Sequence, residues 1–148
     1  MKTIYGKIEG PVHNFDIESE LSVQKLCLDA IKQGFIKSAH DLSDGGLAVN
    51  ISESILFSKK GIGAKINLSR KLREDELLFG ECQSVIIVSI EENNLHELVS
   101  MANKLNVYTQ TIGKVTDNNR LTINDLIDID RDLLHKAYYN SIKEIMEK

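Results

Sequence analysis

Apolar residues recur along the chain at two spacings, and each predicts a different kind of element. Val23, Leu26, Cys27, Ala30 and Ile31 follow the i, i+3, i+4, i+7, i+8 rhythm of a helix with one buried face, so residues 18–33 are expected to be helical. Glu18 and Glu20 suit the positive end of its dipole, and Gly34 can close it in left-handed geometry. Residues 35–39 form a short apolar run, expected as a buried strand. Asp41-Leu42-Ser43-Asp44-Gly45-Gly46 is a turn-rich loop from which a second helix should start. Ser43 or Asp44 is its expected N-cap, and Leu47 or Ala48, Ile51 and Ile55 form its apolar line. After Gly61 and Gly63 the residues 64–68 alternate like a half-buried strand. Residues 70–80 read as a short charged helix. Residues 84–90 are β-branched on both faces and are expected to form a central strand. Leu95, Leu98, Val99 and Ala102 predict a helix over 94–104. Residues 107–115 and 120–123 read as two strands joined into a hairpin at Asp117-Asn118-Asn119. From about 132 to 146 a last helix carries Leu134, Ala137, Tyr138, Ile142 and Ile145 on one face. Helices and strands mix without strict alternation. The expected class is therefore α+β, with helices packed on a mixed sheet of four or five strands.

Composition narrows the function classes. At 42% hydrophobic and 27% charged residues, the chain is globular rather than disordered. A domain of 148 residues buries enough surface to need neither disulfides nor metals for its core. A net charge of −4 argues against a nucleic-acid module with a dominant basic face. Cys27 and Cys82 form no CxxC pair, and the N-terminus has no apolar signal region, so a reducing, cytoplasmic setting is expected. The apolar run 85–88 is far short of the roughly 20 residues needed to span a membrane. Gly6, Gly10 and Pro11 mark residues 1–17 as a connecting segment, leaving 18–148 as a single domain.

Two stretches carry candidate chemistry. The first, His40-Asp41-Leu42-Ser43-Asp44-Gly45-Gly46, leaves a strand and enters a helix through two glycines. Backbone N–H groups at a helix start bind anions, and glycines let a ligand approach the main chain. The same residues also suit plain capping, and they match neither nucleotide fingerprint. His40 has no second histidine at ligand spacing; His13, His96 and His135 are distant. The second stretch is Glu81-Cys82-Gln83, at the entrance to the apolar strand. Glu81 and Gln83 share parity and face the same way if extended. Nothing beside Cys82 supplies a base, so packing is its expected role. The scattered histidines and few carboxylates predict no tightly held metal.

Taken together, these stretches resemble one family. The segment from Ser38 through His40-Asp41-Leu42-Ser43-Asp44-Gly45-Gly46-Leu47 to Val49 looks like the second half of phosphoribosylformylglycinamidine synthase, the synthetase subunit of purine biosynthesis. Leu78-Phe79-Gly80-Glu81-Cys82-Gln83-Ser84 resembles the next block, and Ile112-Gly113-Lys114-Val115 with Leu121-Thr122-Ile123 a third. The domain type is shared with aminoimidazole ribonucleotide synthetase, selenophosphate synthetase and thiamine-monophosphate kinase. The resemblance implies one part of a larger multidomain ATP-dependent ligase. That enzyme uses ATP with magnesium to convert formylglycinamide ribonucleotide to the amidine with glutamine-derived ammonia. It implies as partners the remaining domains of the synthetase and a glutaminase subunit or domain, with no nucleic acid and no membrane. His40, Asp41, Ser43, Asp44, Gly45 and Gly46 would form a nucleotide- or substrate-facing loop, and Glu81, Cys82 and Gln83 a second. Two residues depart from the family pattern: Cys82 stands in place of a serine, and Val85 where an arginine is common. The segments that should carry the main catalytic histidine, the nucleotide lysine and most magnesium carboxylates are not in this chain. It is therefore expected to be inactive alone, to hold no cofactor tightly, and to self-associate through a face meant for its neighbours. The alternatives are a non-catalytic scaffold domain and a domain of another superfamily member.

Overall fold

Asp16 starts the first helix: its carboxylate accepts from the Glu18 N–H at 3.0 Å and from the Ser19 hydroxyl at 2.6 Å. The computed structural model describes residues 15–69 and 72–147, so most of the 1–17 connecting segment lies outside the described residues. The elements run α1 (Ile17–Lys32), β1 (Ile36–Asp41), α2 (Gly46–Leu56), β2 (Gly63–Ile66), α3 (Glu74–Phe79) and β3 (Ile86–Ile90). A single 3-10 turn (Glu92–Asn94) then leads into α4 (Leu95–Lys104), β4 (Gly113–Thr116), β5 (Arg120–Ile123), β6 (Ile127–Asp130) and α5 (Arg131–Met146). The class is α+β.

The strands form two sheets rather than one. β1 and β3 make an antiparallel ribbon, and the other sheet has the order β4-β2-β5-β6. Each sheet has its own core. Leu26 and Ala30 of α1 meet Leu98 and Ala102 of α4 over Ile36, Val88 and Ile90 of the ribbon. Ala48, Ile51 and Ile55 of α2 and Leu78 of α3 pack on Ala64, Ile66, Leu121 and Ile123 of the four-stranded sheet. Leu121 and Ile123 are almost wholly enclosed, and burial of each contributes roughly 1.5–3 kcal/mol.

Several expectations need correction. Residues 84–90 do not supply a central strand: among the described residues β3 pairs only with β1, and it is half-buried along its length, because helices α1 and α4 cover one face of the ribbon. β1 is mostly exposed for the same reason, and it runs further than expected, to Asp41. The expected strand over 107–115 shrinks to β4. Asn106, at φ 53°, turns the chain out of α4, and Ile112 accepts a backbone bond from Asn67 before the ladder begins. The turn at 117–119 does not close a hairpin, since β2 inserts between β4 and β5, antiparallel to one and parallel to the other. The hairpin is instead β5–β6, turned at Asn124 with φ 48° and crossed by an Arg120–Asp128 ion pair. Neither Ser43 nor Asp44 caps α2. The N-cap is Gly45, in left-handed geometry with no side-chain cap of its own. The helix entering from 70 begins at Glu74. Finally, α5 forms as expected, but its apolar line is largely uncovered: Tyr138, Ile142 and Ile145 are all exposed.

Candidate functional site

The antiparallel register of β1 on β3 pairs Asp41 with Ile86, so the exit of one strand lies beside the entrance of the other. Both candidate stretches therefore reach the same end of the ribbon. The pairing continues beyond the strands as Leu42 N–H donates to the Val85 carbonyl at 2.9 Å. Farther out, the Gly45 N–H donates to Glu81 Oε1 at 3.1 Å. Glu81 thus caps α2 from another loop, which explains why Ser43 and Asp44 are not needed there. Their side chains stay exposed.

Two glycines make this closure possible. Gly45 has φ 84° and Gly46 φ 67°. At Gly46 a Cβ would stand 2.6 Å from the carbonyl carbon of Phe79 and 2.8 Å from the oxygen of Gly80. The main chains of the two loops touch there, and a side chain would hold them apart.

The loops border an open groove of about 820 Å3 against α1. Asp41, Leu42, Ser43 and Asp44 line one side, residues 81–86 another, and Phe15, Glu20, Val23 and Gln24 a third. Ser84 sits at φ 59°, a conformation in which non-glycine residues are uncommon, and its hydroxyl donates to Glu20 Oε2 at 2.6 Å. That bond, with a second from Gln24, holds the Glu20 carboxyl below its ordinary range.

His40 points elsewhere. Its Nε2 lies 3.1 Å from Glu53 Oε2, and its Nδ1 lies 2.9 Å from Asn50 Nδ2 and from the Asp41 carbonyl oxygen. Asn50, 2% exposed, also donates to the Asp41 carbonyl at 2.6 Å. The structure therefore gathers Asp41, Ser43, Asp44, Glu81, Cys82 and Gln83 around the groove, puts Gly45 and Gly46 at its hinge, and sets His40 behind it. Asn50 and Glu53 were not singled out in the sequence; Glu20 was read only as a residue suited to the helix dipole, and Ser84 only as the last residue of the second family-like block. Asn50 left a signal, as a polar residue among Ala48, Ile51 and Ile55; nothing in the sequence signalled that Glu20 and Ser84 meet.

Among the described residues the lining is acidic, with Glu20, Asp41, Asp44 and Glu81 and no lysine, arginine or histidine. Among the described residues no three His, Cys, Asp or Glu side chains converge as a metal site, and Glu81 already serves α2. These residues do not fit a complete magnesium–nucleotide site by themselves, since a polyphosphate needs cationic or metal partners that the described residues of this wall do not include. They can offer acceptors to a ligand's N–H and O–H groups and form one side of a shared cleft. No helix among the described residues is long and apolar enough to cross a membrane.

Comparison with known proteins adds relatives. The family described as AIR synthase related protein, C-terminal domain, matches residues 10–125. The phosphoribosylformylglycinamidine synthase subunit PurL of a Thermoanaerobacter species is 32% identical over the whole chain, which covers 20% of that protein. PurL of Prochlorococcus marinus is 40% identical over 93% of the chain and 19% of its own length. The chain thus spans about a fifth of the relatives it matches. Among solved structures, PurLQS from Thermotoga maritima superposes with a TM-score of 0.74 at 21% identity, over 83% of this chain and 22% of that one. Thermotoga maritima PurL complexed with ATP gives 0.73 at 20% identity, over 85% and 23%. At that identity the likeness is one of fold.

Proposed function

Because the chain belongs to the family of AIR synthase related protein C-terminal domains, we propose that it serves as that domain of a phosphoribosylformylglycinamidine synthase synthetase subunit. The whole enzyme is an ATP-dependent carbon–nitrogen ligase of purine biosynthesis. It turns formylglycinamide ribonucleotide into formylglycinamidine ribonucleotide with glutamine-derived ammonia, in the cytoplasm. ATP and magnesium serve the complete enzyme, and their phosphate-binding partners come from segments outside this chain. Its partners are the other domains of the synthetase and a glutaminase subunit, in line with the PurLQS relative.

One observation carries the reading: the two family-like loops are joined by the Gly45–Glu81 bond at the rim of one groove. In this reading the groove is one wall of a cleft completed by another domain. Ser43, Asp44 and Gln83 present hydrogen-bonding groups to the ligand, and Glu81 keeps the helix start rigid. Preorganised groups act only when several segments converge, so the isolated chain should turn over nothing.

A scaffold reading has its own support, namely the acidic lining and the uncovered apolar face of α5. One experiment separates the two. In the complete synthetase, Ser43→Ala with Gln83→Ala should lower kcat/KM for formylglycinamide ribonucleotide about tenfold or more, the equivalent of roughly 1.4 kcal/mol of lost contact. Unchanged kcat/KM in the folded double variant would favour the scaffold. Turnover by the 148-residue chain alone, abolished by His40→Ala, would overturn both.

A further inference from the structure

The last helix reaches back to the groove loop through side chains that the proposed chemistry leaves unused. Tyr138 of α5 donates its hydroxyl to Glu53 Oε1 at 3.0 Å. The other oxygen of that carboxylate, Oε2, lies 3.1 Å from His40 Nε2. His40 is the residue before Asp41, where the loop begins, and Asn50 grips both the ring Nδ1 and the Asp41 carbonyl. The His40 and Glu53 side chains are only 23% and 21% exposed, so water competes less for the bond between them than for the exposed bond to Tyr138. Three elements, α5, α2 and the end of β1, thus meet in one chain of contacts. Its far end lies in α5, beyond residues 10–125, the part that the family profile matches.

The proton positions follow from the partners. Nε2 faces a carboxylate oxygen, so it carries a proton whether Nδ1 accepts from Asn50 or donates to the Asp41 carbonyl. Glu53 then receives one hydrogen bond on each oxygen and is fixed from both sides. Without the phenol it would be held from one side only. The Tyr138 phenol is in turn pushed upward in pKa, chiefly by its bond to Glu53. Its ring is also seated, edge-on to Phe57 at 6.1 Å and to Tyr139 at 5.0 Å between centroids.

We propose that Tyr138 is a positioning residue for the groove: acting through Glu53, it fixes the His40 ring and with it the loop that starts at Asp41. The last helix is then more than a cover, because its docking sets the geometry of one side of the cleft. The importance of this for catalysis rests on the reading of the groove given above. The relay itself does not, and it can be tested without any ligand.

The test is imidazole and amide NMR on the 148-residue chain. In the unaltered protein, His40 should show a bonded Nε2–H protected from solvent exchange. In Tyr138→Phe, which keeps the ring, that signal should be lost or averaged. The amides of Leu42, Ser43 and Gly45 should shift with it, while His96 on α4 stays unchanged. Glu53→Gln should disturb the same set, and adding Tyr138→Phe to it should produce little more, as expected of two residues in one path. Should Tyr138→Phe unfold, Glu53→Gln alone must still move the His40 ring and the loop amides. A folded Tyr138→Phe whose His40 ring and loop amides match the unaltered protein would overturn the relay. So would additive effects in the double variant. A groove that binds nothing in the complete enzyme would overturn the functional reading and leave the relay standing.

Discussion

Gly46 shows how a single missing carbon decides whether the groove exists. A Cβ there would collide with the main chain of Phe79 and Gly80, whereas at Gly34, also left-handed at φ 74°, it would meet nothing within 4 Å. Gly34→Ala should therefore cost only backbone strain, about 1–2 kcal/mol. Gly46→Ala adds a backbone collision and should cost clearly more, about 3 kcal/mol in all, with the Glu81–Gly45 bond weakened as the loops part. Urea unfolding of the two variants measures the difference, and equal losses would mean that the close approach carries no energy. Ser84 gives a second residue-level expectation, one with a pH signature. Its hydroxyl is the main cause of the lowered Glu20 pKa. A lowered folded-state pKa stabilises above the unfolded value, about 4.3, and that stabilisation is lost as pH falls through the folded one. Ser84→Ala should thus melt below the unaltered protein at neutral pH, with the gap narrowing as the medium is acidified past the ordinary carboxylate range. Titration of the Glu20 carboxyl carbon by NMR should show its pKa moving up. A gap constant with pH would rule out the Glu20 link.

At the scale of elements, α2 is held at both ends by residues remote in sequence. Glu81 caps its start, and Arg131 Nη2 donates to the carbonyls of Leu56 and Ser58 at its end, at 3.4 and 3.3 Å. A cation among the last carbonyls also suits the helix dipole. Arg131→Ala should cost about 1–2 kcal/mol, since charged donors to buried carbonyls are worth about that. Amide exchange should quicken first in the last turn of α2, and protection kept there would show that the cap is dispensable. These remote caps explain what was legible beforehand. The helical rhythms of α1, α2 and α4 were plain because helix contacts repeat within a few residues. The N-cap of α2 was misread because its partner lies 36 positions away. The strand pairings were misread for the same reason: β-branching marks a strand but does not name its neighbour. The two candidate loops were visible as motifs. That they meet, and that His40 turns behind them, followed only from the register of β1 on β3.

For the whole molecule, much of the organisation is long-range. Ala64 of β2 is paired with Val115 on one side and Leu121 on the other, and Ala39 of β1 with Val88. The fold is thus two half-cores stitched by distant strands, with the groove at the free end of the smaller sheet and α5 strapped across α2. The position of β2 has a consequence for how the chain is made. During synthesis, at about 5–20 residues per second, β2 emerges several seconds before either strand that will flank it. In that interval both of its edges are bare, and Ile66 has no sheet to sit in. Closing so long a loop is entropically expensive and favours slow folding over fast local collapse. The centre of the larger sheet is therefore settled late, and the nascent chain passes through a stage in which an unpaired strand is open to any neighbour that offers an edge.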